Sequence, residues 1–258
     1  MAKSEVYNTD CIEYMRTLPD NHFDIAVCDP PFGSANDDAL IGAKKDFTKE
    51  ECSRGITKWN RLKGGRRERY YSPIPRSDVG NEIQSAYGGG YEAPTWDVAP
   101  PQEFFDELFR VSRNQIIWGG NYFSLPPTRC FLVWKKHIPE KFSMAMCEYA
   151  WTSFKSNAKV FEYPSLRNEH SGKFHPTEKP QELYGWIYRN YVKDGQIIFD
   201  PMMGSQASRI AAYKMGIDYV GCEIDKYYFD KGCEFFNKEC LGQIKTKEGK
   251  TIIQTTLF

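Results

Sequence analysis

Short apolar runs of strand length recur along the chain, at residues 6–9, 25–28, 115–118, 130–134, 149–152, 197–199 and 219–222, each followed by turn residues or a helical pattern. Such runs suit strands covered on both faces, and their separation by helical segments predicts a mostly parallel sheet. Residues 101–110 start on a proline and carry Phe104, Phe105, Leu108 and Phe109 at helical spacing; residues 207–214 form a second helical pattern that stops at Gly216. The fold class expected is α/β, seven strands with helices on both faces. Residues 34–98 are the exception: polar, rich in glycine and basic residues, and without a sustained period. So long an irregular stretch inside a domain is usually functional or disordered.

At 258 residues the chain is large enough for one substantial core, so residues 1–258 are read as a single domain, 34–98 as an insertion and 243–258 as a tail. Lys plus Arg and Asp plus Glu both total 34. Any surface for a polyanion must therefore come from local clustering. Eight cysteines are scattered without a C-x-x-C pair, which fits reduced thiols. The first residues carry no apolar leader, and no stretch approaches the roughly 20 apolar residues of a membrane helix. A cytoplasmic protein is expected. His22, His137, His170 and His175 show no ligand spacing with cysteines or acids, so no metal is expected.

Against this background, Asp29-Pro30-Pro31-Phe32 stands out because it closes the run 23–28, at the carboxyl end of a buried strand, where open α/β sheets place their chemistry. The Asp29 carboxylate and the Pro30 carbonyl are acceptors aimed at one point, Pro31 stiffens the turn and Phe32 offers a face for stacking. Such a set holds a planar amino group. Taken alone, Asp29 also suits a helix N-cap and Phe32 a core aromatic. A second signal is the strand 197–199 running through Asp200-Pro201-Met202-Met203-Gly204-Ser205 into a helix, a glycine turn that lets backbone approach a ligand. Glu223, about twenty residues further on, stands where nucleotide folds place the acid that binds ribose hydroxyls. Together they imply an adenosine-containing cofactor.

Asp29-Pro30-Pro31-Phe32 resembles the catalytic motif of the amino-group DNA methyltransferases, which methylate the exocyclic nitrogen of adenine or cytosine with S-adenosylmethionine. The resemblance extends to Asp200, Pro201, Met203, Gly204 and Ser205 as the cofactor loop and to Glu223 as the ribose acid. It also covers His175-Pro176-Thr177-Glu178-Lys179-Pro180, which precedes the loop and closes over the methionine end, through His175, Thr177, Lys179 and Pro180. Asp10 and Cys11, in Asn8-Thr9-Asp10-Cys11, are similar to the segment that holds the cofactor's adenine. The catalytic motif precedes the cofactor loop, an order that resembles the circularly permuted β group and implies its Rossmann-like methyltransferase fold, with one antiparallel strand near an edge of the sheet. One departure is Gln206, where the family usually has a second glycine; its side chain either crowds the methionine moiety or bonds to it.

What the resemblance implies is adenine-N6 methylation of double-stranded DNA, with the base swung out of the duplex to reach Asp29. Cytosine-N4 transfer is the nearest alternative, and a non-catalytic DNA-binding protein that kept the fold is a more distant one. Target recognition is expected from Arg54, Lys58, Arg61, Lys63, Arg66, Arg67 and Arg69, interleaved with Trp59, Tyr70 and Tyr71, with a solvated surface loop as the alternative. Residues 118–123 either line the base pocket or start a helix packed on the sheet. Gln254, Leu257 and Phe258 resemble the short tail by which DNA enzymes dock into the sliding clamp; the alternative is a last strand packed on the fold.

Overall fold

Alternate residues of one strand serve two different cores. In the computed structural model, which describes residues 2–33, 97–139, 145–164, 174, 175, 177–245 and 251–253, strand β2 (Phe23–Cys28) is buried along almost its whole length. Ile25 and Val27 pack into one hydrophobic cluster, while Phe23, Ala26 and Cys28 pack into another. The two-residue period of a strand sends neighbours to opposite faces, so a run with no polar alternation must be covered on both sides.

The helices provide that cover. On one face lie α1 (Cys11–Arg16) and α2 (Gln102–Val111), which contribute Cys11, Met15, Phe104, Phe105, Leu108 and Val111. On the other lie α3 (Gln181–Tyr191) and α4 (Ala207–Lys214), with Leu183, Tyr184, Ile187, Tyr188, Ala207 and Ala211. Each fully buried aliphatic or aromatic side chain contributes about 1.5–3 kcal/mol, so these two stripes account for the layering. Helix α1 begins where Asp10 accepts hydrogen bonds from the backbone N–H groups of Ile12 (2.7 Å) and Glu13 (3.1 Å). The long helix α5 (Lys226–Leu241) is capped in the same way by Asp225 and ends at Gly242, whose φ is 62°.

Among the described residues eight strands form the main sheet: β1 (Ser4–Tyr7), β2, β3 (Ser112–Trp118), β4 (Phe131–Lys135), β5 (Cys147–Thr152), β6 (Lys159–Glu162), β7 (Ile197–Asp200) and β8 (Asp218–Cys222), in the order β1-β8-β7-β2-β3-β5-β4-β6. All seven expected strands are present, and β6 adds an eighth at the edge. Only β5 runs against its neighbours β3 and β4. From β2 the chain moves on to β3 on one side, and from β7 to β8 on the other, so the order reverses between β2 and β7. That reversal is a topological switch point, and the parallel strands β1, β8, β7, β2 and β3 all end on its rim.

The chain divides into two compact units, Met1–Pro30 with Pro100–Phe258, and Pro31–Ala99. Of the second, residues 31–33 and 97–99 are described; there the Gly33 N–H donates to Asp97 Oδ1 at 3.1 Å. The tail contains a small antiparallel pair, β9 (Gln243–Lys245) with β10 (Thr251–Ile253). No helix among the described residues is long and apolar enough to cross a membrane.

Candidate active site

The switch point brings four of the sequence-selected acids and turns to one rim. Asp200 is the last residue of β7, and its buried carboxylate organises the turn that follows. Oδ1 accepts from the Met202 N–H at 3.1 Å, and Oδ2 from the Ser208 hydroxyl at 2.6 Å. Burial pushes its carboxyl up to about 7 against the pull of these donors. The Met203 N–H donates to the Cys222 carbonyl at 3.0 Å, and the Gly204 N–H to Glu223 Oε2 at 2.9 Å. The turn after β7 is thereby tied to the end of β8. Glu223 Oε1 accepts from the Asp225 N–H at 2.9 Å. Burial raises its carboxyl, opposed by those amides. Each carboxylate oxygen retains a lone pair for a further donor.

Gly204 has a φ of 47°, and a Cβ there would lie 3.1 Å from His175 Nε2. The His175 ring thus closes over the glycine turn, packed against Tyr228 with centroids 4.4 Å apart. Burial, helped by the Lys179 charge, lowers it to about 4, so the imidazole is neutral near pH 7. Its Nδ1 is 3.3 Å from the Thr177 hydroxyl. Pro180 is the N-cap of α3.

Asp29 lies beyond the end of β2. Its Oδ2 is ion-paired with the Lys179 ammonium, while Oδ1 is buried and accepts no hydrogen bond from the described residues. Lys179 Nζ also stands 3.1 Å from Glu148 Oε2, an ion-pair contact rather than an aligned hydrogen bond, and Glu148 Oε1 is paired with Lys136. Burial raises the Asp29 carboxyl, with Lys179 pulling it down and Glu148 pushing it up. Burial works against the Lys179 ammonium, yet the two carboxylates lift it above its ordinary value.

A family model described as DNA methylase matches residues 108–234. The type II methyltransferase M2.MboI of Moraxella bovis is 23% identical over 237 residues, 84% of this chain and 82% of the relative. Two solved structures share the fold. TTHA0409 of Thermus thermophilus, assigned as a DNA modification methylase, superposes with a TM-score of 0.50 at 15% identity, covering 93% of this chain and 96% of its own. The cytosine-N4-specific PvuII DNA methyltransferase gives 0.50 at 11% identity, covering 92% and 93%. These matches support the resemblance to the amino-group DNA methyltransferases.

In this chain several selected residues have other partners as well. Asp10 caps α1, and Cys11 is buried with its thiol pushed up to about 12 by burial and by Asp10. Met203 is 4% exposed and packs in the core, so only its backbone serves the turn. Ser205 is buried. Gln206 has a φ of 62°, and its side chain is fully buried away from the turn: Nε2 donates to the Phe229 carbonyl at 3.1 Å, and Oε1 accepts from Arg209 Nη1 at 2.8 Å. Of the two options open in the sequence, neither describes it; it is a strut to α5. Trp118 ends β3 with its ring under Lys179, 5.6 Å from Nζ to centroid, and residues 120–122 form a 3-10 turn.

Pro31 and Phe32 belong to the second unit. Arg54, Lys58, Arg61, Lys63, Arg66, Arg67, Arg69 and the tail residues Gln254, Leu257 and Phe258 lie outside the described residues. Sequence reasoning missed Glu148 and Lys136. The available signal was a lone acid directly ahead of the apolar run 149–152, in register with Trp134.

Proposed function

We propose that this methyltransferase transfers a methyl group from S-adenosylmethionine to the N6 amino group of adenine in double-stranded DNA. The observation that carries the reading is the Asp29 carboxylate at the switch point, one oxygen held by Lys179 and the other buried without a donor among the described residues. A buried acceptor left without a partner loses on the order of 1–3 kcal/mol, which an incoming amine recovers. The leading Asp, rather than Ser, favours adenine over cytosine.

The residues present fit the cofactor. The Gly204 turn is a cradle that a Cβ would fill, His175 over it is neutral and does not repel a cation, and Glu223 keeps lone pairs for two ribose hydroxyls. When bound, S-adenosylmethionine supplies an electrophilic methyl carried on a sulfonium. Asp29 and the Pro30 carbonyl accept the two amine hydrogens, which directs the nitrogen lone pair at that methyl. The Gly204 turn, His175 and Glu223 would hold the cofactor, the methyl it supplies would pass to that nitrogen as its bond to sulfur is given up, and the surplus amine proton would leave to solvent. Positioning is the main contribution, because the electrophile is already activated. Phe32 stacks on the displaced base and Pro31 stiffens the turn.

DNA contacts are assigned to Arg54, Lys58, Arg61, Lys63, Arg66, Arg67 and Arg69, which suit phosphates and guanine edges. Neutralising Arg66 and Arg67 weakens binding and flattens its salt dependence on this reading. Gln254, Leu257 and Phe258 are assigned to clamp docking, tested by clamp pull-down after deletion of residues 254–258. The protein is read as cytoplasmic.

The deciding experiment incubates the protein with cofactor and unmethylated genomic DNA, then identifies methylated nucleosides by mass spectrometry beside Asp29→Ala. Methyladenine absent from the variant supports the reading. Methylcytosine would correct the base, and no product would overturn the activity.

A further inference from the structure

Four charged side chains form a partly buried chain of alternating sign, Lys136–Glu148–Lys179–Asp29, contributed by the segment after β4, by β5, by the segment before α3 and by the end of β2. Their side chains are 13%, 23%, 4% and 15% exposed, in that order. The two ammonium groups lie against tryptophan rings, Lys136 over Trp134 at 5.1 Å and Lys179 over Trp118 at 5.6 Å. Such a network is a poor source of stability, because desolvating four charges offsets most of their attraction. It does fix geometry. Lys179 has two carboxylates within reach and contacts both, so its charge is divided, and Asp29 shares its cation instead of being neutralised by it.

Resting on the activity proposed above, we infer that Glu148 is a positioning residue for methyl transfer, acting through Lys179 to hold Asp29 with Oδ1 presented to the target amine. Glu148 on β5 is the only carboxylate besides Asp29 that the described structure pairs with Lys179. Without its charge, Lys179 collapses onto Asp29 alone, and the catalytic carboxylate becomes a weaker acceptor. The other titratable groups that interact with the Asp29 charge are Lys136 after β4, which lowers the Asp29 carboxyl, Asp200 at the end of β7, Cys28 on β2 and Tyr184 on α3. None of them touches Lys179 through an ion pair.

The direction of the electrostatics gives a signed test. Glu148 raises the Asp29 carboxyl and Lys179 lowers it. Glu148→Gln therefore moves the Asp29 titration to lower pH, and Lys179→Met moves it to higher pH. The titration is read from the Asp29 carboxyl carbon by NMR, assigned by difference against Asp29→Asn, after calorimetry with S-adenosylmethionine has shown each variant to be folded. In parallel, single-turnover methylation is followed against pH. The expected result is an acid limb that moves with the titration, down in Glu148→Gln and up in Lys179→Met. The plateau rate of Glu148→Gln should fall about tenfold while its cofactor affinity stays as in the parent. A purely structural Glu148 would lower the rate at every pH without moving the limb. An Asp29 midpoint unchanged in Glu148→Gln overturns the inference whether or not methyl is transferred. Midpoints that move in a parent protein that methylates nothing overturn the proposed activity, and with it the catalytic role of Glu148.

Discussion

The side chain of Gln206 occupies the space that a Cβ on Gly232 would need: its Cγ and Nε2 lie 2.6 Å from that position. Gln206 cannot swing aside without giving up its bonds to Phe229 and Arg209. Gly232→Ala is therefore expected to destabilise the protein by about 1–3 kcal/mol, the range for overpacking a filled site. The double variant Gln206→Gly/Gly232→Ala should lose less than the two single variants summed, as urea unfolding would measure. Strict additivity would mean that the two positions do not compete for space.

Asp200 gives a pH signature of a particular sign. Its carboxyl is near 7 in the folded protein and 3.8 without the fold. The folded state holds the proton more tightly, so this group's contribution is complete below about pH 4 and is lost as pH rises toward 7. Asp200→Asn keeps the shape and removes the titration. Thermal unfolding of the variant, subtracted from that of the parent, should show the parent losing relative stability across that window, by up to about 4 kcal/mol. A flat difference curve would mean that Asp200 is ionised throughout.

His175 contributes the opposite slope. Burial holds it near 4, below its ordinary 6.5, so it stabilises the fold above pH 6.5, and that contribution is lost as pH falls toward 4. His175→Leu should remove this acid sensitivity. The same difference measurement tests it, and a parent and variant with parallel acid curves would show that the ring protonates freely in the fold.

Glu223→Gln keeps an oxygen for the Gly204 N–H but sets an NH2 against the Asp225 N–H, which Oε1 now accepts at 2.9 Å. It also removes the charge that attracts ribose hydroxyls. On the proposed function, cofactor affinity should fall about tenfold to a hundredfold, from the 1.5–3 kcal/mol of a hydrogen bond to a charged group. Calorimetry with S-adenosylmethionine is the measurement. An unchanged Kd would remove Glu223 from the site.

Much of the sheet was legible because its strands are almost wholly apolar: the runs at Ile25, Ile116 and Ile198 had no other use than a core covered on both faces. The edge strand β6 was not, since Lys159, Val160 and Glu162 are exposed and carry no burial signal. Helices α3 and α5 escaped notice for a related reason. Tyr184, Tyr188 and Tyr191 bury rings that a hydropathy pattern counts as half polar, and only Gly232 and Phe236 of α5 are buried. Asp29, Gly204 and Glu223 were visible because each sits just past an apolar strand. Glu148 was not, because its partners are chosen by pairing across β4 and β5 and by the turn before α3, contacts that no local pattern encodes.

The compact unit Pro31–Ala99 leaves the sheet after β2 and rejoins it just ahead of α2. Both junctions are bounded by proline, at Pro30–Pro31 and Pro100–Pro101. The segment is thus a cassette in a single crossover. Every described strand pairing of the main sheet lies outside it, so a change of its length leaves those registers as they are. On the proposed function, variation in what the protein recognises can be confined between two proline-bounded junctions.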